Sequence, residues 1–376
     1  MTTVAIQIVP PKTCWTVNLE EDGEKFEPEL LFTGNNEKKS EVIVIDDEII
    51  VPRRKMTIAE GLRPLLASMK LFGLYFNPLS EDTGDDRKEK SRKWNAYAIY
   101  AVAVVTTLWI NAIRAFSVFT HEDTFGLTLF NKLFVVSWFV QSAVSQTSFY
   151  AASFSGRLAI VFDQVLDDSC ARHARTFSTI YAVAAWTIIM GGSTFFVYGL
   201  LFSDGHNDYY LAPFQNHIVI SNPLIPRVIG CCIIFHVLSA YIFSQATTFV
   251  LAIIFSHQFR KVNETLGRLL DNDRRQASES DIEMLRQKHQ QISMNISNID
   301  DYLMFSNASA FCCQLFTVVI LLYSLIFCHS SVTDPVIIIA YVYKFLTVSF
   351  GLFLTAAGGV TVHHYVSIFT VLFHWP

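Results

Sequence analysis

The sequence predicts an all-α, polytopic membrane bundle with an inside N-terminus, six transmembrane helices and a missing or truncated seventh. Three observations support this. The 376 residues are 52% hydrophobic and only 16% charged, whereas soluble domains are about a quarter charged. Six apolar stretches reach the roughly 20 residues that cross a bilayer. Lys and Arg fall in alternate gaps between those stretches, and such residues stay on the cytoplasmic side of a membrane.

The chain divides into two predicted parts. Residues 1–60 are polar and irregular, which predicts a cytosolic N-terminal tail that is partly disordered. Residues 61–376 predict the transmembrane domain, with a cytosolic helical segment at 257–300. At its start, residues 62–75 are amphipathic but too short to span, so we expect a helix lying at the membrane surface.

Six predicted spans follow in order. They run over about 94–116, 127–149, 177–202, 228–255, 303–327 and 335–357. The fourth is expected to continue as a charged helix, and a second charged helix precedes the fifth. Residues 360–375 are too few to cross a bilayer as a straight helix. They form either a short cytosolic stub after the sixth span, which we favour, or a seventh segment that stops early.

Charge placement fixes the predicted orientation. The gaps assigned to the inner side hold most basic residues: Arg157, Arg172, Arg175, Arg260, Lys261, Arg268, Arg274, Arg275, Arg286 and Lys288. A further basic cluster precedes Trp94. Outer gaps hold only Arg227, with Arg114 and Lys132 at span ends. The asymmetry predicts a cytoplasmic N-terminus.

Several function classes find no support in the sequence. It contains no GxSxG, P-loop or HExxH motif and no pair of intramembrane carboxylates, so we expect no enzyme. No CxxC spacing supports a zinc site, and we expect neither a metal nor a cofactor. The net charge of -5 gives no reason to expect a nucleic-acid partner; the predicted partner is the lipid bilayer.

Two polar residues inside spans are candidate ligand contacts. Lys344 lies well inside the sixth span, where a charge is costly and marks a functional site by default. It either faces a water-filled ligand cavity or packs between helices and snorkels. His236 lies in the outer half of span four. It either binds a ligand or senses pH, or it bonds a neighbouring helix.

Aromatic residues in the outer halves of the spans complete the candidate site. Ligand pockets are mostly apolar and aromatic with few polar anchors. Ordinary interhelical or lipid-facing packing is the alternative at each position. The predicted ligand-binding set is Lys344, His236, Tyr198, Tyr241, Tyr341 and Trp138.

Two segments resemble the arthropod gustatory receptors, which are related to the insect odorant receptors. Residues 62–66 read L-R-P-L-L and residues 70–74 read K-L-F-G-L, similar to a Pro and a K/R-x-x-G-L run before that family's first span. Residues 285–323 contain L-R-x-K-H-x-x-I, then N-I-x-N-I-D-D-Y-L, then an apolar helix closing with L-L-Y.

The resemblance implies a seven-helix taste receptor in the plasma membrane with a cytoplasmic N-terminus. It implies a homo- or hetero-tetramer of related receptors that forms a non-selective cation channel gated by small-molecule tastants. In that family the last helix lines the pore and carries a Thr-Tyr and Gln-Phe motif, which this sequence lacks; we therefore expect the chain to stop before the pore helix. The alternative is a G-protein-coupled or other multi-pass receptor without channel activity.

Overall fold

The computed structural model describes residues 56–76, 96–119, 126–202, 224–271, 279–327 and 335–373. Apart from a 3-10 turn at Phe116–Val118 and one bridge between Thr57 and Val165, the regular structure of these residues is α-helical. The helices are α1 (Ile58–Gly61), α2 (Arg63–Leu71), α3 (Ala96–Ala115), α4 (Leu127–Phe154), α5 (Arg157–Phe162), α6 (Asp168–Phe202), α7 (Leu224–Asp271), α8 (Glu279–Phe327) and α9 (Pro335–Phe373). Residues 1–55 of the predicted tail and the basic cluster before Trp94 lie outside this range.

The predicted all-α membrane bundle is confirmed. Within the described residues, five helical stretches are long and apolar enough to cross a membrane: Ala96–Val118, Asp168–Tyr198, Arg227–Leu269, Ser280–Phe327 and Ile338–Ser367. The predicted second span forms α4, which has 28 residues but is not among the five.

Polar residues account for the lower hydropathy of α4. Gln141, Ser142, Ser145 and Gln146 are each at most 3% exposed, so they face other helices and not the lipid. The hydroxyl of Ser142 donates to the carbonyl of Val237, and Ser306 donates to Ser145. Such interhelical hydrogen bonds hold helices together in an apolar medium.

Three helices run further than a single span needs. As predicted, α7 continues without a break into its charged part. A single helix, α8, replaces the two helices predicted at 281–299 and 303–327, because residues 300–302 contain neither Gly nor Pro. Similarly, α9 passes the predicted end at 357 and continues to Phe373. Its Gly358-Gly359 pair costs about 1 kcal/mol per residue, too little to end a helix of this length.

The bundle is arranged around α7. This helix contacts α4, α6, α8 and α9, and 72% of its most apolar stretch is buried. The corresponding figure for α9 is 17%. Thus α7 is the central helix, and α9 lies at the periphery with much of its apolar surface uncovered.

The segment predicted to lie on the membrane surface is instead packed into the bundle. A capping box between Thr57 and Glu60 starts α1. In the next helix, Leu65, Leu66 and Met69 are fully buried, and α2 contacts α6 and α7. Gly73 has φ +70° and a Cβ there would lie 3.2 Å from the Cα of Ala101. The apolar face of this amphipathic segment is therefore covered by protein.

Candidate ligand cavity

A cavity of about 40 Å³ lies between α4, α6, α7, α8 and α9. Helical periodicity puts its lining on single faces: Phe134, Trp138 and Gln141 are three and four residues apart on α4, and such residues share one side of a helix. The aromatic lining residues are Phe134, Trp138, Phe195, Phe196, Tyr241 and Tyr343. The polar ones are Gln141, Thr317, Lys344 and Thr347.

Lys344 points into an aromatic cage. Its Nζ lies 5.2 Å from the ring centroid of Phe134, 5.0 Å from that of Phe196 and 5.4 Å from that of Tyr341. An ammonium over a ring face is attracted by the ring's quadrupole, and the attraction grows when water is excluded. The Trp138 ring stacks on Phe196 at 5.3 Å and on Phe134 at 5.9 Å, so the cage is itself held by neighbouring rings.

Gln141 brings a second donor to the cavity. The side chain is 3% exposed, and its Nε2 has no hydrogen-bond partner among the residues that the structure describes. Leaving a buried donor unpaired costs about 1–3 kcal/mol. A buried group of this kind marks a place where a ligand or water supplies the missing acceptor.

A polar junction connects the cavity to three helices; it consists of Tyr241, Gln245, Gln314 and Gly351. The amide of Gln314 donates to the Tyr241 hydroxyl at 3.2 Å, which bonds α8 to α7. A Cβ on Gly351 would lie 2.7 Å from Oε1 of Gln245 and 3.1 Å from the Tyr241 hydroxyl. Glycine lets α9 approach the junction without displacing these side-chain ends.

The wall between α6 and α9 is also closely packed. The hydroxyl of Tyr343 donates to the carbonyl of Ile188 at 2.6 Å. A Cβ on Gly191 would lie 3.0 Å from that hydroxyl, so a small residue is required there. Tyr343 thus fixes α9 to α6 beside the cavity.

The structure brings together four of the six predicted ligand contacts. Trp138, Tyr241 and Lys344 line the cavity. Tyr341 contributes a ring over Lys344, and its hydroxyl donates to Asn131 of α4.

The other two predicted contacts lie elsewhere. His236 packs edge-on against Phe72, with ring centroids 5.8 Å apart, and is not part of the cavity lining. Tyr198 is 45% exposed and is likewise absent from that lining.

Sequence reasoning missed several lining residues, among them Phe134, Gln141, Phe196 and Tyr343. Gln141 had a usable signal, because a glutamine is unusual in an apolar helix and tends to face protein. The lining Phe residues had no such signal, because the chain contains 32 Phe residues and nothing in the sequence distinguishes these two from the others.

The His236 side of α7 forms a separate aromatic cluster, here called the Phe72 cluster. The Phe72 ring lies 5.5 Å from Trp186, 5.4 Å from Phe235, 5.8 Å from His236 and 5.5 Å from Phe243. Phe72 itself is 2% exposed. Residues 56–76, which contain α1 and α2, are here called the N-terminal hairpin, and the Phe72 cluster packs this hairpin against α6 and α7.

Ion pairs connect the charged parts of α7 and α8 to the segment before α6. Asp167 accepts a hydrogen bond from Lys261 at 2.9 Å and lies 3.7 Å from Lys288. The bond from Lys261 is the main cause that lowers the pKa of the Asp167 carboxyl. Nearby, Arg157 pairs with Asp301 at 2.7 Å. We call this region the charged end of the bundle.

Comparison with known proteins decides the family. The family model described as 7tm Chemosensory receptor matches residues 62–367. The chain belongs to this chemosensory receptor family. The family is one of receptors and not a class of enzymes, and the expected relationship to insect-type receptors is confirmed.

A solved structure shows the same fold. The insect olfactory receptor OR5 from Machilis hrabei superposes with a TM-score of 0.57 over 81% of this chain and 80% of its own. Sequence identity is 15%, so this likeness concerns the fold alone. No curated protein matches the chain.

Proposed function

We propose that this chemosensory receptor is a gustatory receptor subunit that binds a small-molecule tastant in the Lys344 cavity and gates a non-selective cation channel. The observation that carries the proposal is the cavity itself. It combines an aromatic lining, a cationic side chain and the unpaired amide of Gln141 inside an apolar bundle. Binding sites have this composition, with a few polar anchors in an apolar enclosure.

We further propose a multi-pass plasma-membrane protein with a cytoplasmic N-terminus. Residues 1–60 would be the cytosolic tail, residues 61–376 the receptor domain, and 257–300 its cytosolic helical segment. The ion pairs of Asp167 with Lys261 and of Arg157 with Asp301 support this assignment, because charged groups concentrate where water is available.

The polar junction offers a route from ligand to gate. Tyr241 lines the cavity and is bonded to α8, while α9 approaches the same hydroxyl through Gly351. A ligand that fits one arrangement of these helices better than another shifts the equilibrium by its difference in affinity. The exposed apolar face of α9, which includes Leu346, Phe350 and Phe353, supports assembly with related receptors as a homo- or hetero-tetramer.

Electrophysiology tests this function. The full chain is expressed in cells alone and with related receptors, its surface level is measured, and a panel of small acids, esters, alcohols and sugars is applied. We expect an inward cation current with at least one compound. Surface-expressed protein that binds a compound without any current would contradict the channel and favour a receptor without channel activity.

Epitope accessibility tests the orientation separately. A tag on the N-terminus should be reached by antibody only after the cells are permeabilised. Labelling of intact cells would contradict a cytoplasmic N-terminus and favour the topology of G-protein-coupled receptors.

A further inference from the structure

We infer that the cavity takes a small carboxylate with an apolar or aromatic body, whose carboxylate meets the Lys344 ammonium and the Gln141 amide. This inference rests on the proposed function, because it names the ligand class of the same cavity. It is carried by the charge of the lining, by the unpaired amide and by the shape of the aromatic cage.

The lining has the charge pattern of an anion site. Among the lining residues that the structure describes there is one cation, Lys344, and no Asp or Glu. The remaining lining is aromatic, aliphatic or hydroxyl-bearing, apart from one amide. In such a low-dielectric enclosure an opposite charge is attracted far more strongly than it would be in water.

The Gln141 amide supplies an independent reason for an acceptor on the ligand. Its Nε2 is buried on the cavity face of α4 and lacks a hydrogen-bond partner within the described chain. A carboxylate has two oxygens and about four acceptor positions. It can therefore accept from Gln141 and Lys344 together, and hydrogen bonds to an ionised group are about twice as strong as neutral ones.

The aromatic cage determines the body of the ligand. Apolar atoms of the ligand would pack on Trp138, Phe134 and Phe196, whose rings already stack on one another. The cavity volume of about 40 Å³ holds roughly three water molecules at 10–15 Å³ each. This space matches the carboxylate group itself, and the rest of the acid requires the cage side chains to move apart, further for a ring-bearing acid than for a short aliphatic one.

Two other ligand types make different demands on the same residues. A neutral ester or ketone would use the Gln141 amide and gain little from the Lys344 charge. A neutral aromatic compound would compete with the rings over Lys344 without satisfying Gln141. Comparing an acid with its own methyl ester therefore isolates the contribution of the ligand's charge.

The test uses the purified full chain in detergent micelles and isothermal titration calorimetry. The probes are butyrate, benzoate, methyl butyrate and methyl benzoate at neutral pH. We expect at least one acid to bind about tenfold or more tightly than its ester. An ester that binds as tightly as its acid would overturn the carboxylate inference and leave ligand binding by the cavity intact.

Variants locate the binding. Lys344→Met and Gln141→Leu should each weaken acid binding roughly ten- to hundredfold, the usual loss for a hydrogen bond to a charged group. Lys344→Met should leave ester binding nearly unchanged, whereas Gln141→Leu should weaken ester binding by about two- to tenfold, the smaller loss of a neutral hydrogen bond. His236→Leu, at the Phe72 cluster, is the matched control and should bind as the wild type does.

The other possible results of these binding experiments also test the carboxylate inference. If Lys344→Met does not fold, Gln141→Leu alone must show the selective loss for the acid. Acid binding that survives both substitutions would overturn the inference, since the anion would then sit elsewhere. If neither acids nor esters bind while another compound evokes a current, the ligand class fails and the proposed receptor function stands.

Discussion

Two regions on opposite sides of α7, the Phe72 cluster and the Lys344 cavity, are built from the same kind of residue but differ in structure. Over the same turns of this helix, Phe235, His236 and Phe243 face the Phe72 cluster, whereas Leu238 and Tyr241 face the Lys344 cavity. Both regions are rich in aromatic rings. One is occupied by a side chain from the N-terminal hairpin, and the other retains a cavity of about 40 Å³.

The difference lies in whether a ring of the chain occupies the space beside α7, and in which polar groups border that space. The Phe72 side receives a ring that is 2% exposed, and the amide of Gln146 donates to the backbone carbonyl of Phe72 at 3.3 Å. The cavity side has the unpaired Nε2 of Gln141 and the charge of Lys344. Aromatic rings and an unpaired polar atom therefore do not identify a ligand site by themselves, since the Phe72 side has both: Nδ1 of His236 also lacks a hydrogen-bond partner among the described residues. The Lys344 side differs because its unpaired donor and its cation line a cavity.

The largest expected effect is a loss of stability when the Phe72 ring is removed from the Phe72 cluster. Phe72→Ala removes a ring that contacts four others, and such core truncations cost about 3–5 kcal/mol. We expect thermal unfolding of the purified protein at a much lower temperature. Leu71→Ala is the control, because Leu71 is 59% exposed and should change stability by less than about 0.5 kcal/mol. Equal effects of the two substitutions would mean that the Phe72 cluster is not a core.

A smaller effect is expected at the polar junction. Gly351→Ala places a Cβ 2.7 Å from Oε1 of Gln245, and overpacking of this kind costs about 1–3 kcal/mol. It should lower both thermal stability and the ligand-evoked current per surface molecule. Gly359→Ala lies on the same helix with no atom within 4 Å of the new Cβ and should stabilise slightly, since Ala is the better helix former. A normal current in Gly351→Ala would exclude the junction from gating.

A larger side chain placed in the Lys344 cavity should weaken ligand binding while changing the stability of the protein little. Ala340 lines the cavity, so Ala340→Leu occupies ligand space while keeping the helix and the charge. We expect the dose–response curve of the evoked current to shift by about tenfold or more, with a change in stability below about 1.5 kcal/mol, because the added carbons enter an existing space. Val342→Leu is the control, since Val342 is 41% exposed on the same helix. Identical curves for both variants would place the ligand outside the cavity.

The smallest effect is expected at the charged end. Asp167→Asn removes ion pairs whose side chains are about half exposed, 46% for Lys261 and 47% for Asp167, so the loss should be only about 0.2–1 kcal/mol. Lys261→Met should cost more than Lys288→Met, because Lys261 is nearer to the carboxylate.

The pH dependence of that ion pair has a definite sign. Because the pKa of Asp167 is lowered in the folded protein, its contribution is present above the ordinary value of 3.8 and is lost as the pH falls below it. The stabilities of wild type and Asp167→Asn, measured by thermal unfolding, should therefore differ at pH 7, and the difference should shrink as the pH falls below 3.8. A difference that grows with acidity would contradict this account.

Much of the architecture was predictable from local patterns in the sequence. Apolar runs of bilayer length gave the helical bundle, and the cost of a charge within a span singled out Lys344. Trp138 and Tyr241 followed from the aromatic character of binding sites.

The rest depends on contacts between residues far apart in the chain. The burial of the N-terminal hairpin rests on pairs such as Trp186 with Ser68 and Thr247 with Met69, which are 118 and 178 residues apart. An amphipathic segment is satisfied equally by lipid or by protein, so its pattern does not distinguish the two. The placement of His236 against Phe72 and the close approach at Gly351 likewise have no local signature.

The most direct test of the account compares ligand-induced stabilisation on the two sides of α7. The thermal unfolding of purified full-length protein is measured with and without the tightest-binding compound of the acid and ester panel. A ligand at about 100 times its dissociation constant stabilises the native state by about 2.7 kcal/mol. We predict that the ligand raises the unfolding temperature fully in the wild type and in Phe72→Leu, and by about half as much or less in Ala340→Leu, because tenfold weaker binding leaves about 1.4 kcal/mol of stabilisation. An undiminished rise in Ala340→Leu, or its loss only in Phe72→Leu, would contradict the assignment of the Lys344 cavity as the ligand site.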